Sequence, residues 1–397
     1  MTPIKIGEGI YGVGVIDWNI RDFHGYTTPF GTTYNAFLIV DEKIVLIDTV
    51  KRGFEDQLLK NISEIVDPQR IDYVISNHTE MDHSGSLPYI LHRIGEDTPL
   101  FCSKMGEKNL KLHFTQKWNY HSVESGEELN LGSKTLSFIE TRMLHWPDSM
   151  FTYLKEEKCL FSSDAFGQHY SSIQNFDNEV GIDAITPHAK KYFANILMHL
   201  SPQITKLINK VKSMGLDIDI ICPDHGIIWK KEPDKIILAY AKWASCEPKN
   251  KAVVIYDTMW KSTEKMADAI VLGISSSGAK VKPLCVRTCH RSDIITEVMD
   301  AKAIVLGSPT LNNGLYPTVS DFLTYMKGLK PKNKIAAAFG SYGWSGEAVK
   351  LINLEFESMK FKIIDSGLKV QFIPDSDDLN SCVEFGKRIG NAIIKSD

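Results

Sequence analysis

An α/β protein in two domains is what this sequence predicts, and three observations carry the reading. The chain has 397 residues, long for a single hydrophobic core. Its first part contains short apolar runs that end in His or Asp, as a sandwich with ligands at its strand ends would. Near residue 248 this pattern stops, and fully apolar runs begin that are each followed by a loop rich in Ser, Thr, Gly and Asn, as in a parallel sheet covered on both faces. The expected domains are therefore 1–248 and 249–397.

Composition narrows the functional classes. At 43% hydrophobic and 24% charged residues with a net charge of −4, the chain has no basic surplus to attract nucleic acid or an anionic membrane. Met1-Thr2-Pro3-Ile4-Lys5-Ile6 lacks the basic and apolar regions of a secretory leader, and no apolar run approaches a membrane span, so a cytoplasmic location is expected. None of the seven cysteines forms a Cys-x-x-Cys pair, which argues for reduced thiols and against a thiolate-bound iron or zinc module.

Ile10–Ile16, Thr33–Val40 and Ile44–Asp48 are expected as consecutive antiparallel strands, with a turn at Asp41-Glu42-Lys43 and a polar, aromatic loop from Arg21 to Tyr26 that carries His24. Helical spacing of Phe54, Leu58, Leu59, Ile62 and Ile65 leads to a strand over Ile71–Ser76. Directly after it comes His78-Thr79-Glu80-Met81-Asp82-His83, four metal-ligand side chains in six residues. Two imidazoles and two carboxylates so close together need a cation among them. A polar loop that merely caps the next helix is the competing reading. That helix is expected over Leu87–Ile94, its start held by Ser84 or Ser86.

Three more strands deliver a ligand type at their ends. Leu136–Glu140 leads to His145, Cys159–Asp164 ends on Asp164, and Ile218–Cys222 runs into Pro223-Asp224-His225-Gly226. A His-x-[His/Glu]-x-Asp-His loop followed by a distant His, an Asp after a strand and a His before Gly resembles the metallo-β-lactamase fold, an αββα sandwich with a binuclear site. Glu80 occupies a position where zinc hydrolases of that fold usually have His. A carboxylate is harder and anionic, and favours iron over zinc. The pattern resembles the flavodiiron proteins, or A-type flavoproteins. That resemblance implies one iron on His78, Glu80 and His145, a second on Asp82, His83 and His225, and Asp164 bridging them. Asp48, Asp148 and Asp224 are expected to support loops or orient imidazoles. His169 and His188 are expected to be structural or to lie behind the ligands. His24, Tyr26, His169 and Trp146 are candidates for tuning the reaction from beside the metals, with His24 and Tyr26 as the catalytic candidates.

A polar segment around Ser245–Lys251 forms the expected boundary, and Ala252–Tyr256 restarts the chain as a buried strand. The loop after it holds Thr258, Met259, Trp260, Ser262 and Thr263 ahead of a helical stretch at Lys265–Ile270, and hydroxyls at a helix start suit a phosphate. Ala303–Gly307 ends in Pro309, Thr310, Leu311, Asn312 and Asn313, and Ile335–Gly340 ends in Ser341, Tyr342, Gly343, Trp344, Ser345 and Gly346. Three such strand-end loops resemble flavodoxin, where they cradle FMN at the carboxyl ends of a doubly wound parallel sheet. Further strands near Val281–Val286 and Val370–Ile373 and a helix over Leu379–Lys395 complete a five-stranded sheet. By this resemblance the first loop holds the phosphate, the other two flank the isoalloxazine, and Trp344 lies nearest the ring.

Together the resemblances imply an oxidoreductase with FMN and two iron ions that reduces dioxygen to water, nitric oxide to nitrous oxide, or both. They also imply an external electron donor, rubredoxin or reduced coenzyme F420. A head-to-tail homodimer, or a dimer of such dimers, would set the FMN of one subunit beside the irons of the other. The rival is a zinc-dependent hydrolase fused to a flavodoxin-like domain; Glu80 and the flavin loops speak against it.

Overall fold

The computed structural model describes residues 2–395, so the expected domains' outermost residues, 1, 396 and 397, lie outside it. The chain divides into two compact units, with the main division between Ala244 and Ser245. Residues 245–248 link the helix Pro233–Ala244 to the strand Lys249–Tyr256, so the expected division at 248/249 falls at the end of this link. The short pieces Gly25–Thr27 and Ala194–Ser201 group with the second unit. Among the described residues, no helix is long and apolar enough to cross a membrane.

The first unit is built on two sheets. Ile4–Gly7, Ile10–Gly12, Phe37–Val40, Ile44–Ile47, Tyr73–Ser76, Leu100–Ser103 and Tyr120–Val123 form a seven-stranded sheet in that order. Glu128–Asn130, Thr135–Glu140, Met150–Leu154, Cys159–Phe161 and Ile220–Cys222 form a second sheet of five. Alternation along the strands explains the layering, because successive side chains leave a sheet on opposite faces. Phe37, Ile39, Val45, Ile47 and Ile75 pack with Phe138, Met150, Phe161 and Cys222 between the sheets. Their neighbours Leu38, Leu46 and Val74 pack with Leu58, Ile62, Leu87 and Leu91 of the outer helices. Both faces of the central strands are buried, which is why their sequences read as continuous apolar runs.

Two expected strands are each interrupted. Ile10–Ile16 becomes Ile10–Gly12 and Val15–Asp17, and Thr33–Val40 becomes Thr32–Tyr34 and Phe37–Val40. The second break is held open by Asn35, whose backbone N–H donates to Asp224 O at 2.8 Å and whose side chain donates to Pro223 O and Gly226 O at 2.7 and 3.0 Å. A residue fastened to the loop that carries His225 cannot also serve the ladder. The helix Leu87–Ile94 is present, but neither serine caps it: Ser86 Oγ accepts from Val50 N and Ser84 Oγ donates to Thr79 O. Those hydroxyls fasten the ligand loop, which itself contains a short helix, Met81–Ser84.

The second unit is a parallel sheet in the order Lys280–Cys285, Lys249–Tyr256, Ala301–Gly307, Ile335–Tyr342, with two short strands side by side on the last edge. Lys362–Ile363 pairs with the start of Ile335–Tyr342, and Leu368–Gln371 pairs with its end. Five strand positions are therefore filled by six strands, in the 2-1-3-4-5 order of flavodoxin-like sheets. The last helix runs Ser376–Ile394, three residues earlier than expected at its start, because Asp375 caps it by accepting from the N–H groups of Asp377 and Asp378 at 2.9 Å each.

Candidate metal centre and flavin loops

Topology gathers the ligand-type residues of the first unit. Thr135–Glu140 and Cys159–Phe161 are both antiparallel to Met150–Leu154, and Ile220–Cys222 is parallel to Cys159–Phe161, so three strands of the second sheet point the same way. The loops that follow them carry His145, Asp164 and His225. The loop after Tyr73–Ser76 of the first sheet brings His78, Glu80, Asp82 and His83 to the same place, joined by Met150 N donating to Asn77 O at 3.0 Å.

Asp164 divides its two oxygens within the resulting cluster. Oδ2 lies 2.7 Å from His145 Nε2 and 3.7 Å from His78 Nε2, while Oδ1 lies 3.1 Å from His83 Nε2 and 3.4 Å from His225 Nε2. Glu80 Oε2 is 3.2 Å from both His78 Nε2 and His145 Nε2, and Asp82 Oδ2 is 3.2 and 3.1 Å from the Nε2 atoms of His83 and His225. Within each group, His78–Glu80–His145–Asp164 and Asp82–His83–His225, the donor atoms lie within 4.8 Å of one another. Two atoms bound to one cation at about 2.1 Å stand roughly 3 to 4 Å apart, so the separations suit a metal. Asp82 Oδ1 and Oδ2, His83 Nε2 and Asp164 Oδ1 are buried within contact of one another yet make no hydrogen bonds. Lone pairs that converge on shared space rather than on each other's protons are what coordination requires, and the residues fit a pair of metal ions. Three carboxylates among four imidazoles make a hard, anionic donor set that suits iron better than zinc.

Protonation shows the same strain. Burial alone would lower the His78 imidazole, yet its hydrogen bonds with Asp148 and Glu80 push it up to about 10. Burial would raise Asp164, but the neighbouring His83 charge and the His145 hydrogen bond hold it well below the carboxylate range. Without metal, the carboxylates around His78, His83 and His145 favour protons on these three imidazoles; a bound cation takes the place of those protons and releases them.

Surrounding groups fix the ligands. Asp148 Oδ2 accepts from Thr79 N at 2.8 Å and stands 3.2 Å from His78 Nδ1, leaving Nε2 to face the cluster. Asn109 holds Asp148 in turn at 3.2 Å. His225 Nδ1 donates to Thr33 O at 2.7 Å, which directs its Nε2 inward. Gly226 follows at φ +82°, and a Cβ there would stand 2.3 Å from Gln168 O. Asp48 accepts from Asn77 N and Nδ2 at 2.8 and 2.9 Å and so supports the loop. Asp224 is buried with both oxygens lacking hydrogen bonds, and its Oδ2 lies 3.7 Å from His83 Nδ1. With His83 and Asp164 it forms a further group of ligand-type side chains, a capacity beyond the supporting part expected of it.

His24 Nε2 lies 2.9 Å from Glu80 Oε1 although its side chain is 65% exposed, so it borders the cluster from the solvent side. Tyr26 is buried but groups with the second unit, not with the cluster's own unit. His169 Nδ1 shares a hydrogen bond of 2.7 Å with Thr32 Oγ1 and packs against the His225 ring at 4.8 Å, while Trp146 meets the His78 ring edge to face at 5.0 Å. His188 packs on Phe30 and Tyr170. Asn35, Thr33 and Asn109 are supports that the sequence reading missed; an Asn or Thr carries no ligand signature, and the polypeptide loops that they fasten are distant in sequence.

In the second unit the three predicted loops lie at the carboxyl ends of adjacent parallel strands. The helix behind the first loop starts at Ser262 rather than Lys265, after Lys261 turns the chain at φ +66°. Ser262 and Thr263 thus occupy its first turn, where backbone N–H groups lack helical partners. Thr263 Oγ1 is 2.8 Å from Ser341 Oγ, which ties the first loop to the third, and Ser345 Oγ is 3.3 Å from Asn313 Oδ1, which ties the third to the second. Thr258 Oγ1 is buried without a hydrogen bond, while Trp260 and Trp344 are each 86% exposed. An unsatisfied hydroxyl beside open helix N–H groups suits a phosphate, and two bare indoles suit a flat heterocycle; the residues fit FMN.

A carboxylate-rich metal cluster in a two-sheet sandwich, joined in one chain to a flavodoxin-type sheet, defines a metal- and flavin-linked oxidoreductase. Family models agree: residues 32–226 match the ODP family beta lactamase and residues 254–386 match flavodoxin. The chain is 46% identical to a nitric oxide reductase of Moorella thermoacetica over 98% of this chain and 99% of that protein. Its structure is similar to that of rubredoxin oxygen:oxidoreductase from Desulfovibrio gigas, with a TM-score of 0.97, 41% identity and 99% of each chain covered. It is also similar to the flavodiiron protein from Giardia intestinalis, with a TM-score of 0.96 and 33% identity over 99% of this chain and 97% of that one. The chain belongs to the flavodiiron family.

Proposed function

We propose that this protein reduces dioxygen to water, nitric oxide to nitrous oxide, or both, at a non-haem di-iron centre supplied with electrons through FMN. The observation that carries the reading is the cluster in which Asp164 turns one oxygen to His78 and His145 and the other to His83 and His225. The names of the relatives supply the two candidate substrates. His78, Glu80 and His145 would hold one iron and Asp82, His83 and His225 the other, with Asp164 placed between the two groups. Thr258, Met259, Trp260, Ser262 and Thr263 would hold the FMN phosphate, and residues 309–313 and 341–346 would flank its ring.

When bound, the iron pair and the flavin supply the electrons that each reduction needs in quick succession, so that no one-electron product escapes. The chain's own residues do the rest. Asp148 and Thr33 orient the imidazoles through their Nδ1 atoms, and Glu80 brings the hard anionic donor that sets this centre apart from zinc hydrolases. His24, with a ring nitrogen beside Glu80 on the exposed side, is placed to hand a proton inward. A rubredoxin-type partner, or reduced coenzyme F420, is the electron donor. A head-to-tail homodimer, cytoplasmic in location, presents each flavin to the partner's irons.

Anaerobically purified protein loaded with iron and FMN and reduced by rubredoxin tests this reading. Steady consumption of at least one gas is expected. Consumption of neither by the loaded protein refutes it.

A further inference from the structure

Between the outer face of the five-stranded sheet and the helices Ser201–Ser213 and Pro233–Ala244 lies a cavity of about 490 Å³. Phe151, Phe166, Leu144, Ile204, Ile208 and Tyr240 line its inner end, and the exposed charged side chains of Lys212, Asp217, Asp219, Lys230, Lys231 and Asp234 surround its solvent side. We propose that this cavity collects the diatomic gas and passes it to the metal cluster, an inference that rests on the proposed gas-reducing function.

Two lining residues belong to the ligand loops themselves. Leu144 directly precedes His145, and Phe166 lies two residues after Asp164, so the inner wall of the cavity is the back of the metal site. That wall offers water little to bond. Phe166 N donates to the Tyr240 hydroxyl at 2.8 Å, Phe166 O accepts from Trp229 Nε1 at 2.9 Å, and Leu144 N donates to Thr141 O at 2.9 Å. With these groups engaged elsewhere, the wall presents the Phe166 ring and the Leu144 side chain. An apolar recess such as this inner end, walled off from the charged solvent side, holds water poorly and takes up small apolar solutes, xenon among them. Dioxygen and nitric oxide are such solutes, and a larger organic ligand would stop at the Leu144 and Phe166 wall. The face beside His24 and Glu80 is the other approach, but in a head-to-tail dimer the partner's flavin would occupy it. Gas could then still arrive from behind.

The test pairs xenon with cavity-filling variants. Crystals of the iron- and FMN-loaded protein under xenon pressure should show xenon between Ile208 and Phe166. Ile208→Trp should abolish that xenon and raise the KM for the gas severalfold, with kcat at saturating gas, iron content and FMN content unchanged. Val211→Phe, from another position on the wall, should act in the same direction if the tryptophan variant does not fold. Absence of xenon from the wild-type cavity overturns the proposal. An unchanged KM in a variant whose cavity is filled overturns it as well, while leaving the gas-reducing function intact. Wild-type protein that consumes neither gas sinks both.

Discussion

Around His78 and Asp164 the chemistry-bearing side chains are buried and held by neighbours, whereas in the flavin loops Ser262, Thr263 and Ser341 are buried but the two indoles, Trp260 and Trp344, stand open to solvent. The contrast follows from what each ligand demands. A metal pair tolerates errors of a few tenths of an ångström in its donors, so every imidazole needs a second anchor, such as Asp148 for His78 and Thr33 O for His225. A flavin is large and flat, and it can be gripped by backbone N–H groups at a helix start and by aromatic faces, so that each contact contributes a small part. The metal site should therefore fail sharply on single changes, and the flavin site gradually.

The largest expected effect is at Asp164. Asp164→Ala removes the group shared between the two halves of the cluster, and should abolish both iron loading and gas consumption while FMN content stays at the wild-type level. Elemental analysis beside the flavin absorbance reads both outcomes. Glu80→His comes next: iron content and gas turnover should fall and zinc retention should rise, and unchanged iron and turnover would remove the role given to Glu80. Asp148→Asn keeps the shape but weakens the anchor on His78, and should lower metal affinity by roughly 10- to 100-fold in a chelator competition. On the flavin side, Trp344→Ala should cost about 1 kcal/mol of FMN affinity, a loss of roughly fivefold, with iron unaffected. If that single change removed FMN altogether, the contrast between the two sites would be wrong.

Acidity sharpens the comparison further. The metal-free cluster keeps His78 protonated up to about 10. Iron must displace such protons, so its apparent affinity should fall as pH is lowered from about 8 to about 6, with proton release on binding measurable in weak buffer. FMN affinity should change less over the same range, because the loop from Thr258 to Thr263 contains no imidazole of its own.

The contrast also explains what could be read in the sequence. His, Asp and Glu at strand ends are conspicuous, because few structural needs put four such residues into six positions, and the seven metal-ligand candidates all meet in the cluster. Buried-strand runs made the second sheet legible in the same way. The supports were not legible: Asn35 reaches Pro223 and Gly226 across the fold, and nothing in its local sequence marks it. Ser84 and Ser86 looked like helix caps, since a hydroxyl before an apolar run usually is one, but tertiary partners at Thr79 and Val50 claimed them. The expected strand Thr33–Val40 breaks for the same reason: Asn35 interrupts an apolar run to serve a loop far away in sequence.

The central claim is that electrons held by the flavin of the second unit leave through the metals of the first. Rapid mixing of anaerobically reduced protein with nitric oxide, followed by flavin absorbance, tests it most directly in the wild type and in Asp164→Ala with FMN bound. Fast flavin reoxidation in the wild type and its loss in the variant is the predicted result. Equal reoxidation rates in the two proteins would contradict the account.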